Sequence, residues 1–133
     1  MRFVLDASVT LSWAMRDEDN PLADIAFEYI QTDSSLVPAI WWYEIRNALL
    51  ISERRGRIEG GDIAKFLSAV SRFDIEVRAP EAGQRTMDLA REYRLSIYDA
   101  AYLALASEEK IPLATLDERL QSAARSAGVS LLS

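Results

Sequence analysis

The chain has 133 residues, half of them hydrophobic, and a net charge of −6. Such a length and apolar fraction describe one folded unit with a real core, so residues 1–133 are read as a single domain rather than a disordered chain. With no Cys and no His, disulfide frameworks, thiolate zinc sites, Ser-His-Asp triads and imidazole general bases are excluded, and any enzymatic work falls to carboxylates. The acidic balance argues against a chain held on DNA or anionic lipid by bulk charge, but it allows a local phosphate site. No apolar run approaches ~18 residues, so no membrane span is expected. The opening MRFVLDAS meets Asp6 too early for a signal peptide, and a cytoplasmic location is the expectation.

Phe3–Leu5 is a β-prone apolar run, read as a buried first strand ending at Asp6. Asp6 or Ser8 then caps a short helix through Trp13. Asn20-Pro21 opens the next helix, because Pro suits a first helical turn, and Ala23, Phe27 and Ile30 carry it to about Thr32. Leu36–Pro38 is a short strand. Residues 39–55 form the strongest helix, ending in Arg54-Arg55-Gly56 with positive charge in the last turn and then Gly. A helix over 60–71, a strand at Ile75–Val77 and a helix over 80–94 starting at Pro80 follow. Residues 97–109 are a helix with almost no polar face in its first half, which predicts burial all round. Pro112–Thr115 is a strand, Asp117 to about Ala127 a helix, and Val129–Leu132 a last strand. Short apolar strands alternating with helices predict an α/β fold: a mainly parallel sheet of four to five short strands with helices on both faces. Ligands of such sheets bind beyond the carboxyl ends of the strands, where Asp6 and Asp117 are expected.

Most of the twenty-one acids belong to solvated faces, and four do not. Asp6 ends a buried strand, and Asp117 directly follows another. Glu44 has Ile40, Trp41, Ala48 and Ile51 as helical neighbours; Asp99 has Leu95, Tyr102, Leu103 and Ala106. A carboxylate in apolar company is costly unless paired, hydrogen-bonded or metal-bound. Each has an ordinary alternative: Asp6 and Asp117 as helix caps, Asp99 in a capping box with Ser96, Glu44 paired with a buried Arg. If the four converge, they repel one another and at least one pKa rises. A hard divalent cation resolves that repulsion, and oxygen-only ligation suits Mg²⁺ or Mn²⁺.

VLDASV at 4–9, VPAIWWYEIRNALL at 37–50, SIYDAAYLALA at 96–106 and LATLDERL at 113–120 resemble, in order, the motifs of PIN-domain ribonucleases, in particular VapC-like toxins of toxin–antitoxin pairs. The resemblance spans nearly the whole chain and implies a PIN fold. It also implies a divalent-metal-dependent endoribonuclease that acts on RNA, forms a homodimer and is restrained by a cognate VapB-like antitoxin. It makes Asp6, Glu44, Asp99 and Asp117 the acidic quartet, catalytic and metal-binding, and places Ser8, Asn47 and Thr115 as supporting polar groups. Many relatives carry a further acid shortly after the fourth; here Glu118 is adjacent, followed by Arg119 and Leu120.

Arg54, Arg55 and Arg57 form the one basic cluster and are read as complementing a helix terminus or contacting RNA or a partner. Trp13, Trp41, Trp42 and Tyr98 are read chiefly as packing residues. Trp41 and Trp42 point about 100° apart on a helix, so one of them is expected at a dimer or antitoxin surface. Two rival functions stand beside the ribonuclease. One is another acid-dependent phosphohydrolase, although Ser8 occupies the place where a haloacid-dehalogenase-like enzyme needs a second Asp. The other is a non-catalytic PIN-like scaffold that binds RNA or a partner.

Overall fold

The computed structural model describes residues 1–15, 19–80 and 83–133. The elements in chain order are β1 (Phe3–Leu5), α1 (Ala7–Ala14), α2 (Pro21–Ile30), β2 (Ser35–Pro38), α3 (Ile40–Arg54) and α4 (Gly60–Val70). They continue with β3 (Ile75–Arg78), α5 (Arg85–Tyr93), α6 (Ile97–Glu109), β4 (Leu113–Ala114) and α7 (Glu118–Ser126). The four strands are all parallel, in the order β3-β2-β1-β4.

The burial of the strands differs along that order. Every residue of β1, β2 and β4 is buried, as strands covered on both faces require. β3 lies at the edge, partly exposed, and carries Glu76 and Arg78 there, charges that discourage pairing with another chain. The chain builds outward from β1 to β2 to β3 and then returns to place β4 on the other side of β1. Right-handed crossovers therefore put α1–α4 on one face and α5–α6 on the other; α6 packs on β1, β2 and β4.

Local signals set several boundaries as expected. The Asn20 side chain accepts from the Leu22 and Ala23 amides, with Pro21 in the first turn of α2. Gly56, at φ +72°, turns the chain after α3 in a backbone region that disfavours other residues. The Trp13 indole donates to the Ala23 carbonyl at 2.9 Å and ties α1 to α2.

Three expectations are corrected. Val129–Leu132 is not a strand but a single parallel bridge, Leu113 to Leu131. The Val129 amide is taken by the Ala124 carbonyl at the end of α7, and Pro112 has no N–H to extend the ladder. The helix expected from Pro80 begins at Arg85; Pro80 lies outside it, and 81–82 fall outside the described residues. Finally, α6 is not buried all round, for Ile97 and Tyr98 in its first turn are exposed. A 13-residue helix runs about 20 Å, whereas a three-residue strand spans about 10 Å. The first turn of α6 therefore overhangs the carboxyl ends of the strands.

The core prediction is direct. Leu103 on α6 is fully buried, so Leu103→Ala should cost about 2–5 kcal/mol in urea unfolding. Val77→Ala on the exposed edge strand should cost below about 1 kcal/mol.

Candidate active site

In a parallel sheet the ligand crevice opens where the strand order reverses, beyond the carboxyl ends of the strands. Here that point lies between β1 and β4. The register pairs Val4 with Leu113 and Leu5 with Ala114, and the Asp6 amide donates to the Ala114 carbonyl at 3.0 Å. Asp6 and Thr115 are thus brought side by side by the ladder itself.

Asp6 is the best-anchored of the acids. Its Oδ2 accepts from the Ser8 hydroxyl at 2.6 Å and from the Thr115 hydroxyl at 2.7 Å. The Ser8 oxygen in turn accepts from the Leu116 amide at 3.0 Å, and the Thr115 oxygen from the Asp117 amide at 3.1 Å. Two of the three expected supporting residues, Ser8 and Thr115, therefore hold the same carboxylate oxygen and link β1 to the β4–α7 turn. Asn47 does not join them; it is exposed one turn beyond Glu44.

The other three acids enter at helix starts. Asp99 is in the first turn of α6, where its amide donates to the Ser96 hydroxyl at 3.1 Å. Asp117 caps α7 through Oδ1, which accepts from the Leu120 amide at 3.0 Å. Glu44 lies one turn into α3 and, among the described residues, finds neither the Arg partner weighed for it nor a backbone donor. Its Oε1 accepts from the Tyr102 hydroxyl at 2.7 Å. Tyr102 was legible in the sequence only as an apolar neighbour of Asp99, since spacing along α6 says nothing about what another helix brings to its hydroxyl.

The electrostatics show that the four acids share a field. Burial pushes the Asp6 carboxyl above its ordinary value, even though Ser8, Thr115 and the nearby Ala7 and Ser8 amides favour its charge. Glu44 is raised by burial, with the charges of Asp6 and Asp99 adding to the shift. Asp99 is raised by burial, then by Asp117 and Asp6, while Ser96 and Arg119 oppose the rise. Burial and the neighbouring carboxylates push the Tyr102 phenol far above its usual range, so it remains a donor. Among the described residues none of the four acids forms an ion pair.

This donor set fits a hard cation in type: oxygens only, short of counter-charge. Among the described residues no three carboxylates are drawn close enough to enclose an ion directly. Magnesium matches such an arrangement, because it keeps several waters and takes one or two carboxylates directly.

The remaining predicted residues lie elsewhere. Arg54, Arg55 and Arg57 are exposed; Arg54 sits ten residues past Glu44, about 15 Å along the helix. Arg57 instead lines an open groove of about 740 Å³ together with Trp13, Phe27, Phe66 and Phe73. Trp13, Phe27 and Phe73 meet edge to face there, with ring centres 5.4–6.1 Å apart. The two consecutive tryptophans divide as expected. Trp41 is buried and donates to the Thr10 hydroxyl at 3.0 Å, whereas Trp42 is exposed beneath the Arg46 guanidinium. Tyr98, expected in the core, is exposed on the overhanging turn of α6. The Arg119 guanidinium, unremarked as a site residue in the sequence, lies near enough to Asp99 to favour its charge and donates to the Arg94 carbonyl at 3.1 Å.

Comparison with known proteins matches residues 3–126 to the PIN domain. The chain is 29% identical over 123 residues to Ribonuclease VapC3 of Pyrobaculum aerophilum, covering 90% of this chain and 92% of that one. The fold is similar to PAE2754 of Pyrobaculum aerophilum, at a TM-score of 0.73 and 23% identity, over 92% of this chain and 84% of the other. It is also similar to FitAcB of Neisseria gonorrhoeae, at a TM-score of 0.62 and 16% identity, over 100% and 97% of the two chains.

The raised carboxyls make a pH prediction for the metal-free protein. A raised pKa means that the folded chain binds the proton more tightly than the unfolded chain. The stability so gained is present at low pH and is lost as pH climbs from the ordinary carboxylate range through the raised values. In EDTA, the melting temperature should fall over that window. Asp6→Asn should show a shallower fall and should melt higher at neutral pH, by roughly 4 °C for each kcal/mol of desolvation relieved. An unchanged slope in this variant would contradict the assignment of the strain to Asp6.

Proposed function

The chain belongs to the PIN-domain family, and from that premise we propose that it is a divalent-metal-dependent endoribonuclease serving as the toxin of a toxin–antitoxin pair. The observation that carries the reading is the group Asp6, Glu44, Asp99 and Asp117 at the sheet's switch point. Three of them have carboxyls raised first by burial; Asp6 and Asp99 add to the rise at Glu44, Asp117 and Asp6 to that at Asp99, and among the described residues none of the four forms an ion pair. RNA as the substrate is supported by the relative that is named a ribonuclease; water attack on phosphorus would leave the ribose 2′-OH unused.

Asp6 and Asp99 would hold the ion, directly or through water, with Glu44 and Asp117 completing the shell. With Mg²⁺ or Mn²⁺ held by these residues, the site would have a bound water of lowered pKa and a Lewis acid for a phosphoryl oxygen. The chain's own residues supply orientation. Ser8 and Thr115 fix one Asp6 oxygen, and Asp117 spends Oδ1 on capping α7, which leaves its other oxygen for the site. Arg119, beside Asp99, suits a phosphate contact. The acidic total is compatible with RNA: without the four acids, fifteen basic residues face seventeen acidic ones.

Two apolar surfaces support the partners. The groove lined by Trp13, Phe27, Phe66 and Phe73 suits the apolar face of an antitoxin segment, with Asp62, Lys65 and Arg57 at hand for its polar groups. A second groove of about 510 Å³, with Ile40, Tyr43, Met87, Ile97 and Tyr98 in its lining, suits a second copy of the chain. Exposed apolar patches of this kind mark interaction sites.

Asp99→Asn removes a charge while keeping size and the Ser96 cap. It should reduce Mn²⁺-dependent cleavage of mixed RNA by at least ~100-fold while the circular dichroism spectrum is unchanged. Full cleavage by this variant would sink the catalytic assignment, and a folded wild type that binds but never cuts RNA would favour the scaffold. Mn²⁺ at ~100 times its dissociation constant should stabilise the wild type by about 2.7 kcal/mol. An Asp6→Asn/Asp99→Asn double variant should lose that response, and an equal shift in both would place the ion elsewhere.

A further inference from the structure

One buried hydroxyl on α6 meets an acid of the site directly. Tyr102 is fully buried on α6, one turn after Asp99. Its hydroxyl donates to Glu44 Oε1 on α3 at 2.7 Å, and the tyrosine's own oxygen is approached by the amide of Ala7, the residue after Asp6. Oε2 of Glu44 has no protein partner among the described residues. The backbone of Glu44 is placed by other means: one turn earlier, the Trp41 indole bonds Thr10 on α1 at 3.0 Å. The Thr10 hydroxyl itself leans on the Asp6 carbonyl at 3.4 Å. α3 is thus tied to α1 without Tyr102, and among the described residues the tyrosine is the one polar side-chain contact that the Glu44 carboxylate makes.

We infer that Tyr102 is a positioning residue for the proposed nuclease: it pins Glu44 Oε1 so that Oε2 is presented to the site shared with Asp6 and Asp99. This rests on the metal-dependent reading above. A glutamate side chain has three rotatable bonds, and an unpinned carboxylate must be ordered each time the site assembles. Outer-shell partners of this sort are typically worth 10–100-fold in metal affinity or activity.

The test uses the purified full chain with Mn²⁺ and an unstructured RNA oligonucleotide. Tyr102→Phe keeps the ring in the core and deletes only the donor. Free Mn²⁺ is followed by electron paramagnetic resonance, and kcat and KM are measured separately. The expected result is a 10–100-fold loss in Mn²⁺ affinity or in kcat, with KM for RNA within about two-fold. In a Glu44→Ala background, Tyr102→Phe should add less than about two-fold, because the group it positions is gone. Wild-type behaviour of Tyr102→Phe overturns the inference. So does an equal loss in both backgrounds, which would mark a purely structural role. If Tyr102→Phe does not fold, Glu44→Asp carries the test. One methylene shorter, it keeps the charge but cannot both reach Tyr102 and serve the site, and unaltered Mn²⁺ binding and turnover in that variant would also overturn the inference. A wild-type chain that neither binds Mn²⁺ nor cuts RNA overturns the functional reading itself, and the positioning role with it.

Discussion

The structure depends on a carboxylate buried at the end of its central strand. Asp6 terminates β1, which has no exposed residue, and a charge so placed is costly without compensation. What surrounds it is organised to offset that cost. Ser8 from α1 and Thr115 from the end of β4 both donate to one oxygen. Those two hydroxyls are themselves tied to the backbone of Leu116 and Asp117. Compensation remains incomplete, and burial still raises the Asp6 carboxyl. A site that is stable enough to fold yet short of positive charge is the physical starting point for binding a cation or polarised water.

Parallel topology explains why the other acids arrive at the same place. In parallel β-α units every helix following a strand begins near the strand's carboxyl end. α1, α3 and α7 start there directly, and α6 starts there because it must run back to feed β4. Asp6, Asp99 and Asp117 occupy first-turn or cap positions of such helices, and Glu44 is one turn in. The helix N-termini carry partial positive charge, which tempers the repulsion among the carboxylates. The same arrangement leaves the first turn of α6 overhanging the short strands, with Ile97 and Tyr98 uncovered. The placement of the acids and the exposed aromatic surface beside them therefore have one geometric cause.

The groove between α1, α2 and α4 lies away from the acids, and its aromatic trio is set by the Trp13–Ala23 bond that closes α1 on α2. A partner seated there would touch α1, whose first residues include Ser8, the donor to Asp6.

The amino-acid sequence alone determined the strand–helix alternation, the parallel sheet and the exclusion of imidazole and thiolate chemistry. These follow from local apolar periodicity, from Asn20-Pro21 and Gly56 as chain punctuation, and from the lack of His and Cys. It also singled out Asp6, Glu44, Asp99 and Asp117, because an acid in apolar company is visible without coordinates, and the ordered PIN-like motifs carried the family. Only the tertiary structure decided what each acid touches. Asp6 meets Thr115 because the β1–β4 register brings residues from opposite ends of the chain side by side. Glu44 meets Tyr102 because α3 and α6 converge at the strand ends. It also decided that Val129–Leu132 makes one bridge and not a strand, and that Tyr98 is exposed while Tyr102 is buried. Periodicity reports which side of an element is apolar, but the extent of cover on that side is set by the lengths of the neighbouring elements. Those lengths act together only once the sheet has assembled.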